Sequence, residues 1–310
     1  MDFEFTAEQD ELRASVRRFL SERAPLPYVR AMYDDPTGTS PEVWKGLVDL
    51  GVLDRDLTMT DIGVVLEEMG RAVHPGPYLS TLAARWAGLD DDSVVATLAV
   101  DPRRVPDAMA ADVVVVAEGE DLYVVDDFDA VPVTTVDGSR KVGAITVNTR
   151  GRKIEDPDLQ GALDRWKIGY AVDGVGAASV ALEMAVAYGH ERVQFDRPIG
   201  SFQAVQHLCA DMLTALELGR AGAYYALWAA DNESADEVHR AATMAIAYAS
   251  DVFHRIGADA IQVFGGVGYT WEHDIHLFYK RLLTVQHTFG TAPEHLEELF
   301  THVLPVITGA

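Results

Sequence analysis

The stretch RVQFDRPIGSFQ, residues 192–203, connects two long segments that are rich in alanine and poor in helix breakers. The segment before it extends from about residue 155, and the one after it ends near residue 230. Two more such segments follow, ADEVHRAATMAIAYASDVFHRIGADAIQVF (235–264) and HDIHLFYKRLLTVQHTF (273–289). Long helices joined by short connections are typical of an antiparallel bundle, so the sequence predicts a C-terminal four-helix bundle.

The first 150 residues have two different patterns. Up to about residue 88, apolar residues recur at helical spacing, and Thr6 and Asp61 are suited to cap helices. From there to about residue 150, β-branched runs such as DVVVVAE alternate with Asp, Gly and Pro clusters, which indicates a small antiparallel sheet or barrel. We therefore predict a mainly α protein with a small β domain. Its three domains are an N-terminal helical domain (1–88), a shortened middle β domain (89–150) and the helical bundle (151–310).

Composition excludes several classes of function. With 25 Lys and Arg against 49 Asp and Glu, the net charge of −24 disfavours binding to nucleic acid and to an anionic membrane surface. The single cysteine, Cys209, cannot form an intrachain disulfide and fits a reducing compartment. The N-terminal stretch is acidic and has no apolar signal-peptide core. We expect a cytoplasmic protein with neither a nucleic acid nor a membrane as partner.

Two apparent motifs are better explained by helix packing and by the helix surface. GVGAAS, residues 174–179, approximates a dinucleotide fingerprint, but it lies inside an alanine-rich helix and no strand precedes it. Its small residues predict close helix packing. His273 and His276 share a helical face, but no carboxylate or third histidine follows at a ligand spacing, so we predict no metal site.

Two further segments carry candidate binding residues. Arg192 can clamp a diphosphate through parallel hydrogen bonds, and Phe195 can pack against a planar ring. In the second segment, IQVFGGVGY (261–269), Gly265 and Gly266 would let backbone amides approach a ligand closely. Taken singly, a surface arginine in an interhelix turn and a glycine helix terminator would explain these segments.

Together, and in this order within a helical bundle, the segments resemble the acyl-CoA dehydrogenase family. FTAEQDELRASVRRFLSE (5–22) is similar to the N-terminal helix of that family. The resemblance implies FAD bound between subunits and oxidation of an acyl-CoA to a 2,3-enoyl-CoA. A carboxylate removes the α proton while the β hydrogen leaves as hydride to the flavin. The residues implied to face the FAD diphosphate of a neighbouring subunit are Arg192, Phe195 and Gln203, and those at its adenosine end are Gln262, Gly265 and Gly266.

The sequence departs from the family at two places. The catalytic glutamate usually precedes a Gly-Thr pair, and Phe289 stands at that position here. Some relatives keep the glutamate on the helix before the Arg192 motif, near Trp166 in this chain, where the nearest acids are the shorter Asp164 and Asp173. The family's Thr-Glu-Pro…Gly-Ser stretch, which helps to seat the flavin, is also absent; ATLAVDPRRVPDAMAADVVVVAEG (96–119) replaces it.

These departures resemble the smaller, degenerate subunit of the α2β2 acyl-CoA dehydrogenases of actinobacteria, which act on steroid-derived CoA thioesters in cholesterol catabolism. The resemblance implies that a larger homologous subunit supplies the glutamate and that electron transfer flavoprotein is the acceptor. Two alternatives stay open. One is a self-sufficient homo-oligomeric dehydrogenase that uses Asp164 or Asp173 as its base, and the other is a non-enzymatic scaffold on the same fold.

Overall fold

A computed structural model describes the backbone of residues 4–308 and the side chains of residues 4–301. The described part forms ten α-helices and nine short strands, which confirms the predicted mainly α fold with a small β region. The chain divides into two compact units. One contains the residues up to Val65 together with His74–Gly169, and the other contains Leu66–Val73 together with the residues from Tyr170 onward. The division into three domains stays a prediction.

Capping residues define the first helices. Thr6 and Gln9 form a reciprocal capping box at α1, in which each side chain accepts a hydrogen bond from the backbone N–H of the other. At α4, Asp61 is not the cap as expected; it pairs reciprocally with Thr58, the residue before the helix. The bounds of the first five helices are α1 Ala7–Arg23, α2 Leu26–Met32, α3 Pro41–Asp49, α4 Met59–Arg71 and α5 Tyr78–Trp86.

The β region contains two small sheets, in the strand orders β1-β3-β4-β7 and β2-β6-β5. The expectation of a wholly antiparallel sheet was wrong at one pair: β1 and β3 are parallel. Such a pair needs a crossover, and strand β2, which belongs to the second sheet, lies in the connection. The strands are β1 Ala96–Ala99, β2 Val105–Pro106, β3 Val113–Glu118, β4 Asp121–Val125, β5 Phe128–Val133, β6 Val142–Val147 and β7 Arg152–Lys153.

The second half of the chain is helical. On α8 the buried residues include Phe253, Ile256 and Ala260, at steps of three and four, so this helix turns an apolar face to the core. On α6 every residue from 166 to 179 is buried. A short hairpin follows α6 and single 3-10 turns precede α7 and follow α8. The elements are α6 Leu159–Glu191, β8 Val193–Gln194, β9 Arg197–Pro198, a 3-10 turn Ile199–Ser201, α7 Gln203–Asn232, α8 Ala235–Phe264, a 3-10 turn Gly265–Tyr269, α9 Ile275–His287 and α10 Ala292–Thr308.

Glycines allow α4 and α6 to pack backbone to backbone. A β-carbon on Gly176 would lie 2.1 Å from the carbonyl oxygen of Glu67, and one on Gly70 would lie 2.0 Å from that of Asp173. Gly176 belongs to the GVGAAS stretch, so the packing role expected for that stretch is confirmed. An ion pair also joins the two helices: the terminal nitrogens Nη1 and Nη2 of Arg71 donate to the Glu183 carboxylate at 3.0 and 2.8 Å.

Helix α6 is also long and apolar enough, by length and composition, to cross a membrane. Most of its apolar window is buried inside the structure, as is usual for the core helix of a globular protein. In the described part of the chain no other helix passes this test.

Candidate functional site

The hairpin that joins α6 to α7 has a strained tip. Its two turn residues, Phe195 and Asp196, have φ angles of 53° and 61°. A two-residue hairpin turn of this kind favours Asn-Gly, because both positions need a left-handed backbone, which is costly for a bulky residue such as Phe. Gln194 and Arg197 face each other across the turn, and the Ile199 N–H donates to the Arg192 carbonyl at 2.8 Å.

A cavity of about 560 Å³ lies beside the base of this hairpin. It brings Arg192 from the first candidate segment together with Gly265 and Gly266 from the second, although these residues are more than 70 positions apart in sequence. The other lining residues are Tyr188, Gln194, Ile199, Val263, Phe264, Val267 and Thr270.

The charge in this cavity favours an anion. The Arg192 side chain is exposed and forms no hydrogen bond or ion pair with any of the described residues. In a chain of net charge −24, a guanidinium without a carboxylate partner at a cavity wall is unusual. Arginine binds phosphate groups in a bidentate manner, so the cavity fits a phosphate-bearing ligand.

The glycine pair leaves room for such a ligand. Gly265 ends α8 with a φ of +62°, a conformation that favours glycine, and its N–H donates to the carbonyls of Gln262 and Ile261. A β-carbon on Gly265 or on Gly266 would have no heavy atom of the protein within 4 Å. The open space at both positions therefore lets a ligand approach the backbone.

The other three predicted cofactor residues do not line the cavity. Phe195 at the hairpin tip is 86% exposed, and its ring packs edge-on against Phe202 at 6.1 Å between centroids. Gln203 at the start of α7 and Gln262 near the end of α8 are exposed. Their assignment to the cofactor stays a prediction.

Sequence reasoning missed several cavity residues. Gln194 is two positions after Arg192 on the same strand face, and Tyr188 is one helical turn before it. Both spacings are visible in the sequence once the end of α6 is located. Phe264 packs against Tyr188, with 4.5 Å between ring centroids, and no sequence signal predicts that contact.

An aromatic ring occupies the position where the family resemblance places a base. Phe289 lies in a bend directly after α9 and before Gly290, which has a φ of +117°. Its ring meets Tyr170 of α6 edge-to-face, with 5.3 Å between centroids. A phenyl ring cannot accept a proton from carbon.

Both alternative acids are buried in polar contacts. The Asp173 carboxylate, on α6, accepts hydrogen bonds from Arg281 Nη1 at 2.9 and 3.2 Å, and the two side chains are 1% and 0% exposed. Asp164 is also buried; it accepts a hydrogen bond from Gln160 at 3.1 Å, and Lys167 Nζ is 3.8 Å away. Neither carboxylate lines the cavity.

The histidine pair makes local contacts. His273 Nδ1 accepts a hydrogen bond from the Ile275 N–H at 3.1 Å, and His276 Nε2 lies 3.2 Å from the Trp271 carbonyl oxygen. No group of three or more potential ligands suited to a metal ion occurs within residues 4–301.

Comparison with known proteins places this geometry in a family. Residues 158–302 match the sequence model of the acyl-CoA dehydrogenase C-terminal domain. The chain is 31% identical over 317 aligned positions to the acyl-CoA dehydrogenase IpdE2 of Mycolicibacterium smegmatis, an alignment that covers 96% of this chain and 99% of that protein. The chain belongs to the acyl-CoA dehydrogenase family.

Solved acyl-CoA dehydrogenase structures have the same fold. The Tcur3481-Tcur3483 steroid ACAD, a G363A variant, has a chain that superposes with a TM-score of 0.88 at 25% identity, covering 97% of this chain and 99% of that one. A chain of the ChsE4-ChsE5 complex from Mycobacterium tuberculosis gives 0.84 at 20% identity, covering 98% and 99%. The protein is thus an oxidoreductase of the acyl-CoA dehydrogenase class, whose members use FAD as cofactor. The cation and the open glycine backbone of the cavity fit the diphosphate of that cofactor.

Proposed function

We propose that this chain is one subunit of a heteromeric, FAD-dependent acyl-CoA dehydrogenase. It supplies contacts to the diphosphate and adenosine of FAD, while a larger homologous subunit supplies the catalytic glutamate. One contrast carries the proposal: the cavity at Arg192 is open and has an exposed cation at its wall, but Phe289 stands where the family resemblance places the base. A chain that keeps half of a cofactor site and lacks the proton acceptor suits a shared active site.

When bound, FAD accepts the β hydrogen of the acyl chain as hydride. The part of this chain is to hold the cofactor. Arg192 binds the diphosphate, and the open backbone at Gly265 and Gly266 accommodates the neighbouring part of the molecule. Fixing one end of the cofactor helps to hold its reactive ring in line with the base and substrate of the partner.

The surface around the cavity supports a shared site. Phe195 exposes most of a large apolar ring on a strained turn, and Gln203 and Gln262 are exposed nearby in sequence to the two motifs. Strained residues persist where function requires them. A cofactor that protrudes from a second subunit would cover the Phe195 ring and could form hydrogen bonds with the side-chain amides of Gln203 and Gln262.

For substrate, we propose the CoA thioester of a steroid side chain or ring remnant. The family resemblance of the sequence and the likeness to the Tcur3481-Tcur3483 steroid ACAD support this class. The same resemblance supports an α2β2 assembly, with electron transfer flavoprotein as the acceptor. The single cysteine and the acidic N-terminal stretch support the cytoplasm as the location.

The alternatives fit the geometry less well. A self-sufficient enzyme would need Asp164 or Asp173 as base, but Arg281 binds Asp173 in the core and Asp164 is buried among polar groups. With a side chain only 1% exposed, Asp173 cannot reach the carbon of an acyl chain bound from solvent. A pure scaffold would have no need for an arginine without a protein partner in an open cavity.

Co-purification tests the proposal. The chain is produced alone and together with the larger homologue encoded beside it, and flavin absorbance and acyl-CoA-dependent dye reduction are measured. We expect a colourless, inactive chain alone and a yellow, active complex with about half a flavin per polypeptide. Turnover by the chain alone would refute it, and so would a complex without flavin.

A matched pair of variants locates the cofactor contact. In the complex, Arg192→Gln should remove most of the bound flavin. Arg103→Gln removes the same charge from an exposed arginine that pairs with Asp101, and it should retain the flavin. Equal flavin content in both variants would contradict the role of Arg192.

A further inference from the structure

The hairpin places a second arginine on the face that lines the cavity. In a strand, residues two positions apart point to the same side, and in an antiparallel pair directly opposed residues share a side. Arg192, Gln194 and Ile199 all line the cavity, so they mark one face of the hairpin. Arg197 is opposite Gln194 and two positions before Ile199, which puts it on that face. Arg197 is about 7 Å nearer to the hairpin tip than Arg192, since two residues at 3.3 Å each separate their levels along the strands.

An aromatic ring holds the Arg197 guanidinium in place. The guanidinium carbon lies 3.9 Å from the centroid of the Phe202 ring, and the Phe195 ring packs edge-on against Phe202 with 6.1 Å between centroids. Stacking on an aromatic face leaves the donor groups at the rim of a guanidinium available for hydrogen bonds. Less rotamer freedom is then lost when a ligand binds.

The charge of Arg197 is not matched by the protein. The residue is exposed, and none of the ion pairs found among the described residues involves it. Arg192 is in the same state on the same face. Two cations without carboxylate partners, aligned along one strand face of a chain with net charge −24, match the two negative charges of a diphosphate.

We infer that Arg197 is a second cationic contact for the FAD diphosphate, in line with Arg192 and oriented by its stack on Phe202. The inference rests on the proposed function, since it assumes that this cavity receives the FAD of the assembled enzyme. A carboxylate of the partner subunit is the competing anion. Arg197 shares a hairpin face with three residues that line the cavity, which favours the cofactor diphosphate over a partner carboxylate as its anion.

The test uses the co-expressed complex with its flavin removed. Titration calorimetry measures the affinity for FAD, for ADP as the diphosphate-bearing half, and for adenosine as the half without phosphate. Arg197→Gln should weaken FAD and ADP about tenfold, which is about 1.4 kcal/mol, and leave adenosine unchanged. Arg197→Lys, which keeps the charge but loses the planar stack, should give a smaller loss. Arg103→Gln is the matched control and should bind as the wild type does.

Two results would overturn the inference. One is unchanged FAD and ADP affinity in Arg197→Gln. The other is dissociation of Arg197→Gln from the larger subunit on size-exclusion chromatography, without a loss of FAD affinity in the variant that stays assembled. That result would assign Arg197 to a carboxylate of the partner. Either result leaves the proposed function intact if the wild-type complex still binds FAD. A wild-type complex without FAD would instead refute the proposed function itself.

Discussion

Asparagine in place of Asp173 separates a structural role of this carboxylate from a catalytic one. The substitution keeps the size of the side chain but removes the negative charge that faces Arg281 at 2.9 Å. Arg281 is fully buried, so water cannot replace the lost counter-charge. We therefore expect the chain to lose stability and the folded complex to keep its turnover.

The magnitude follows from the burial of the pair. Removing one partner of a buried ion pair costs about 3–5 kcal/mol, because the charge of the other partner stays in the core. Folded domains are stable by about 5–15 kcal/mol, so the loss is a large fraction of the total. For a unit of this size, the melting temperature should fall on the order of 10 °C.

The assay combines urea unfolding, followed by circular dichroism, with turnover per folded complex. Asp259→Asn is the control: it makes the same change at a half-buried carboxylate of α8 whose charged neighbour is another acid, Asp211, so it should not lower stability. Combining Asp173→Asn with Arg281→Met should restore part of the stability, because both charges then leave the core. An unchanged free energy of unfolding would refute the reasoning. Lost turnover in a fully stable complex would identify Asp173 as the base.

Three further predictions follow from the packing, the cavity and the charges. Gly266→Ala adds a methyl group to the open side of the cavity, so calorimetry should show weaker FAD binding, by about 1 kcal/mol, at unchanged stability. Gly176→Ala should cost about 3 kcal/mol in urea unfolding because its β-carbon meets backbone at 2.1 Å. Gly222→Ala, in open space, should instead stabilise by about 0.5–1 kcal/mol, and equal shifts for the two would contradict the packing role. Burial, and then repulsion from Asp211, raise the pKa of Asp259 above its ordinary value of 3.8. The folded state therefore holds this proton more tightly than the unfolded chain does. Stability falls as the pH rises from 3.8 through the higher pKa of the folded state. Asp259→Asn should therefore stabilise the chain at pH 7 and not at pH 3; an equal gain at both values would show that the charge is not responsible.

The buried network around Glu67 shows how the charges and the fold depend on each other. The Glu67 carboxylate accepts hydrogen bonds from Arg220 and Tyr224, on a neighbouring helix. Burial lowers the pKa of Arg220, but the Glu67 carboxylate more than offsets that effect and raises it overall. Glu67 is 153 and 157 positions away from Arg220 and Tyr224, and no spacing in the chain predicts that it meets them.

Much of the fold could be predicted from local patterns. Apolar periodicity located the long helices, β-branched runs located the strands, and the cap at Thr6 is where it was expected. Such patterns depend on neighbours within one or two turns, which the sequence displays directly. Helix α2 is not apparent from the sequence because it follows Pro25 and contains Pro27, although proline is well tolerated in the first helical turn. The parallel pairing of β1 with β3 was missed because pairing is a property of two distant segments.

For the site, the amino-acid sequence alone indicated the chemistry: an arginine in an interhelix turn, a glycine pair after a long helix, and Phe289 where a base would stand. Which of these groups lie together became visible only in the folded chain. Folding joined Arg192 to Gly265 and Gly266 around one cavity and left Phe195 exposed. It also enclosed Asp173 with Arg281 in the core. The sequence gives the chemical type of each side chain. Its partners and its exposure to solvent depend on packing between segments that are distant in sequence, which local spacing does not show.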